Sequence, residues 1–88
     1  MQQGIFTVFD MAAKMFLEPF FAPTVEVAIR GFSEACRNPD HNFNRHPEDF
    51  ALYHIGEYDA TSAVIVPFEA RKVAMASSYH NAPDLGVS

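Results

Sequence analysis

Between Pro23 and Pro39 this chain has little choice but to form one helix, and the other elements must be arranged around it. Thr24 offers an N-cap hydroxyl, and Glu26 places a negative charge in the first turn, against the positive end of the helix. Val25, Ile29, Phe32 and Cys36 recur at helical spacing and make one apolar stripe, widened by Ala28. Glu26, Arg30 and Glu34 follow at four-residue intervals on the outer face, where each ion pair is worth ~0.2–0.5 kcal/mol. Gly31 costs about 1 kcal/mol relative to Ala in such a helix. A close approach of its backbone to a sheet would explain it. Arg37 lies near the negative end, and Asn38-Pro39 stops the helix.

The flanks read as strands. Ile5 to Phe9 is β-branched and aromatic. Asp10 to Lys14 can turn, and Met15 to Phe21 is apolar again, although Pro19 cannot sit inside a central strand. The first twenty residues therefore read as a hairpin whose second strand is an edge or is bent at Pro19. The rival is an amphipathic helix over Asp10 to Leu17, on the propensity of Met-Ala-Ala-Lys-Met-Phe-Leu. Pro39 to Glu48 is polar and irregular, anchored by Phe43. Phe50 to Tyr58 is a strand, Asp59-Ala-Thr-Ser62 a turn, and Ala63 to Val66 the return strand that Pro67 ends or marks as an edge. Arg71 to Tyr79 leans to a short helix on its Ala and Met content, with a further strand as the rival. Residues 81–88 read as a loose tail behind a single domain of residues 1–80. The expected fold is α+β: a small antiparallel sheet of two β-hairpins on one central helix, in the order β-β-α-β-β.

Eighty-eight residues bury a small core, yet nine Phe and three Tyr are present. Each aromatic buries ~150–250 Å² when enclosed, so there is more ring surface than one core hides. A homo-oligomer or a covering partner follows. Eleven acids against six bases give a formal charge of -5, which opposes generic binding to duplex DNA. A single cysteine rules out an internal disulfide framework and suits a reducing cytosol. No apolar run approaches the ~20 residues of a membrane span, so no membrane contact is expected.

No arrangement of residues demands chemistry. Cys36, Asp40, His41 and His46 bunch around one loop, with His54 nearby, but the spacing matches no closed four-ligand metal site. A capped helix end and a solvated loop account for them, and neither metal nor cofactor is expected. Glu48 and Asp49 are adjacent acids that more simply begin a strand than share acid–base work. Cys36 belongs to the apolar stripe, no nucleophile elbow occurs, and the four glycines are scattered. An enzyme is thus not expected. Single-stranded nucleic acid would need cations and flat ring faces. Arg37 and Arg45 flank one loop, Arg71-Lys72 is the only adjacent cation pair, and Tyr53 and Tyr58 offer rings. These six are the candidate DNA-binding residues; the plain alternative is that the rings fill the core and the cations are solvated.

Several motifs agree in order with one family. They are Phe6-Thr-Val-Phe-Asp10, Pro19-Phe-Phe-Ala-Pro-Thr24, Ala28-Ile-Arg-Gly-Phe32, Asn38-Pro39, His46-Pro-Glu-Asp-Phe50 and Ile55-Gly-Glu-Tyr-Asp59. In these the chain, from about Phe6 to Pro67, resembles the small nonstructural protein of gokushoviruses, single-stranded-DNA bacteriophages of the Microviridae. The resemblance implies a protein made in the cytoplasm of the infected bacterium and absent from the capsid. It implies a counterpart of the microvirus protein that switches double-stranded replication to single-strand synthesis and packaging. Its expected partners are single-stranded or replicative viral DNA and viral or host replication proteins. The alternative is an adaptor that binds replication or procapsid proteins without touching DNA.

Overall fold

The computed structural model describes residues 1–79; the tail expected at 81–88 lies outside the described residues. Strand β1 (Gln2–Asp10) is followed by two short strands, β2 (Met15–Phe16) and β3 (Phe20–Ala22). Helix α1 (Val25–Arg37) and a one-turn helix α2 (Asn42–Arg45) come next. A 3-10 turn (Pro47–Asp49) leads into β4 (Phe50–Asp59), β5 (Val64–Met75) and a last 3-10 turn at Ala76–Ser78. All strand pairs are antiparallel, in the order β2-β1-β4-β5, with β3 also on β1.

The first hairpin forms, and its second arm breaks where Pro19 falls. Asp10 closes the turn: its carboxylate accepts from the amides of Ala12 at 3.0 Å and Ala13 at 3.2 Å. Leu17 still donates to the Val8 carbonyl at 2.8 Å, and the Thr7 hydroxyl donates to the Leu17 carbonyl at 2.6 Å. The helical alternative over Asp10 to Leu17 is not adopted. The arm resumes as β3, so one expected strand is two. The two hairpins join in one sheet, as expected. β1 and β4 pair along their whole length, from Gln2–Asp59 to Asp10–Phe50, and make one continuous sheet.

Two further expectations are corrected, and one open alternative is decided. Arg71 to Met75 is strand, not helix: β4 offers it partners, with Leu52 opposite Ala74 and Ala51 opposite Met75. That pairing overrides the helical preference of Ala and Met, and only Ala76–Ser78 turns helically. Of the two readings of Pro67, the edge holds: β5 runs on past it as the outermost strand, where the missing donor is tolerated. The loop after α1 is not wholly irregular either. His41 Nδ1 accepts from the Phe43 amide at 3.1 Å and starts α2.

Helix α1 is built as its caps and stripe require. Thr24 accepts from the Val27 amide at 3.1 Å. Ala28, Phe32 and Cys36 are buried, while Val25 and Ile29 pack at the margin of the core. They meet Phe6, Val8, Phe50 and Leu52 from one face of the sheet. Burying each large side chain of this kind contributes ~1.5–3 kcal/mol. Phe43 is the loop's anchor, its ring centroid 5.4 Å from Phe32 and 4.7 Å from Phe50. The Asn44 amide donates to the Cys36 carbonyl at 2.8 Å, satisfying one orphan acceptor at the helix end. Two details depart from expectation. Glu26, Arg30 and Glu34 form no ion pair among the described residues. A Cβ added to Gly31 would meet nothing within 4 Å, so no sheet approaches it.

A candidate nucleic-acid interface on the open sheet face

Side chains alternate across a strand, so with Phe6 and Val8 under α1, Ile5, Thr7 and Phe9 point the other way. Among the described residues no helix covers that second face. Ile5, Thr7, Ala51 and Gly56 form its buried floor. Rings stand on the floor in two groups. Phe9, Phe16 and Tyr53 meet at 4.7 Å (Phe9–Phe16) and 5.4 Å (Phe16–Tyr53), the latter edge-on. Phe21 and Tyr58 meet at 5.4 Å. Between the groups Thr7, Leu17, Pro19, Ile55 and Ala70 line a shallow apolar pocket of about 240 Å³. Phe16 and Phe21 remain 48% and 49% exposed, and Ile65 at the far end 56%.

The two tyrosines share this face only because of an irregularity. They are five residues apart, so strict alternation would send them to opposite sides. Ile5 pairs with Gly56 and Phe6 with His54, which leaves Ile55 as an extra residue in β4. The bulge restores Tyr58 to the side of Tyr53. Gly56 beside it has no alternative: a Cβ there would lie 2.9 Å from the Val66 carbonyl oxygen and 3.3 Å from Pro67 Cα.

The cations do not gather. Lys72 lies opposite Tyr53 in the register and shares the open face. Arg71, opposite His54, is on the other side with its guanidinium 4.2 Å from the Phe68 ring centroid. Arg37 ends α1 and Arg45 ends α2, both exposed on the helical side. Of the six candidates, Tyr53, Tyr58 and Lys72 come together, and Arg37, Arg45 and Arg71 do not join them. Phe9, Phe16 and Phe21 belong with the tyrosines; the registers of β2, β3 and β4 on β1 select them, and no local motif announces it.

Four other ionisable groups, His54, Glu57, Cys36 and Asp59, have defined surroundings. His54 Nε2 and Glu57 Oε2 are 2.8 Å apart, with the His54 ring stacked 4.5 Å from Phe6 and edge-on to Phe68 at 4.8 Å. Burial pushes the Cys36 thiol up to about 11, against the opposing pull of Arg37. The Thr61 backbone amide holds the Asp59 carboxyl below its usual value in the β4–β5 turn. Among the described residues no group of three or more His, Cys, Asp or Glu can hold a metal ion. No helix among them is long and apolar enough to cross a membrane.

The arrangement can stack planar groups and exclude water from them. No curated protein and no solved structure matches the chain. A family model does, over residues 3–79, and by that match the chain belongs to the bacteriophage family described as Phage ORF5 protein.

Proposed function

We propose that this chain is a non-enzymatic phage nonstructural protein that serves viral DNA replication, single-strand synthesis and packaging in the cytoplasm of the infected bacterium. It does so by contacting single-stranded DNA on the open sheet face. One observation carries this reading: Phe9, Phe16, Phe21, Tyr53 and Tyr58 stand on the face that no helix covers among the described residues. Ring faces of this kind bind bases of any sequence. Lys72 supplies a phosphate contact within the platform, and the gokushovirus resemblance supplies the viral context.

The test is fluorescence anisotropy with a labelled oligothymidylate at low and moderate salt. Each stacked base contributes ~1–3 kcal/mol, so replacing Tyr53 and Tyr58 together by Ala lowers affinity at least about tenfold. Lys72→Glu weakens binding further and flattens its salt dependence. Absence of binding even at low salt removes the DNA contact.

A second reading, an adaptor for a replication or procapsid protein, is favoured by a different observation. Leu17, Ile55 and Ile65 interrupt the rings with aliphatic surface, and the register assigns the face a single cation among the described residues. Co-purification of a viral or host replication protein from nuclease-treated lysate, with no DNA affinity, selects it.

A further inference from the structure

The geometry points to a second interaction surface, on α1, whose partner is another copy of this chain packed antiparallel across Gly31. Gly31 is exposed in mid-helix, where it costs about 1 kcal/mol relative to Ala, and among the described residues nothing lies within 4 Å of where its side chain would begin. Val27 and Ala35 lie one turn before and after it on the same side. Beside them, α1 and β3 bound an apolar groove of about 370 Å³ lined by Phe20, Phe21, Val27, Gly31, Ala35 and Phe43, among others. Val27 is 41% exposed at its lip. Without a side chain at position 31, two helices can approach at the short end of the ~8–10 Å interaxial range. Val27 of each copy then reaches the other's groove.

The charges name the occupant. Glu26, Arg30, Glu34 and Arg37 form one exposed stripe flanking the Gly31 seam, and none makes an ion pair in the chain among the described residues. Read along the helix the signs run minus, plus, minus, plus; read backwards they are the complement. An antiparallel copy sets Glu26 against the partner's Arg37 and Arg30 against the partner's Glu34, and by two-fold symmetry each pair occurs twice. A single register, within one residue, satisfies both pairs. The contact lies on the helical side of the sheet and leaves Phe9, Phe16, Tyr53 and Tyr58 open in both copies, with Phe21 bordering both surfaces.

One helix and a groove lip make a small interface, so weak, concentration-dependent association is expected. Sedimentation velocity over a concentration series reads the mass. Wild type rises from 9.8 kDa towards twice that value. Gly31→Gln, a good helix former with open space around it, stays monomeric with an unchanged circular dichroism spectrum. Arg30→Glu sets like charges opposite each other and weakens the dimer at least about tenfold. Arg30→Glu with Glu34→Arg rebuilds the complement and restores it. A wild type that stays monomeric throughout overturns the proposal. So does a dimer indifferent to Gly31→Gln and Arg30→Glu, which is how association through the open sheet face would behave, or a charge-swapped pair that fails to rescue.

Discussion

Cys36 shows how one buried atom sets a pH limit. Its side chain is fully enclosed between α1 and the sheet, and enclosure disfavours the thiolate. The folded thiol ionises near 11, against an ordinary value of 9.0. The folded state therefore holds the proton more tightly than the unfolded one, and its contribution to stability is complete below about pH 9 and is lost as pH rises towards 11. Chemical denaturation at neutral pH and at pH 10 should show the loss, and Cys36→Ala should abolish that part of the pH dependence. In the native state near neutrality, Cys36 should resist thiol reagents until the protein unfolds.

At the scale of elements, helix α1 is the piece the sequence specifies most locally. Its cap hydroxyl, its stripe and its Asn-Pro stop are all contained in the segment itself, and the observed bounds follow them. Thr24→Ala should cost about 1 kcal/mol, because it leaves the Val27 amide without its acceptor; urea unfolding measures it. The strands are less legible for a physical reason. Whether Arg71 to Met75 extends or coils is decided by β4, some twenty residues earlier, and not by its own Ala and Met. The same holds for the candidate site. Tyr53 and Tyr58 are visible as rings in the sequence, but only the Ile55 bulge aligns them. Arg71 and Lys72 look like one cationic pair in the sequence, yet the strand sends them to opposite faces.

The whole molecule is a thin slab, 41 × 33 × 19 Å along its principal axes, with one face of its sheet under α1 and the other bare. The two faces should answer substitution differently. Phe32 is 4% exposed and touches Phe43 and Tyr79. Phe32→Ala should cost ~3–5 kcal/mol, a large share of the ~5–15 kcal/mol that holds a domain folded. Phe16, 48% exposed on the bare face, should cost under about 1 kcal/mol when replaced by Ser while weakening binding to oligothymidylate. Equilibrium denaturation and anisotropy on the same two variants separate stability from function. The excess of aromatic side chains is divided between an enclosed layer that keeps the chain folded and a layer left exposed.

Strand β5 lies at the rim of the sheet, where a bare backbone invites lateral growth into fibres. Pro67 removes a donor there, and Glu69, Arg71 and Lys72 place charge along the same strand. On the opposite rim the interruption at Pro19 denies a newcomer any long straight template. A phage chain with this much exposed apolar surface is thus steered away from open-ended polymers, and the associations left to it are ones that close.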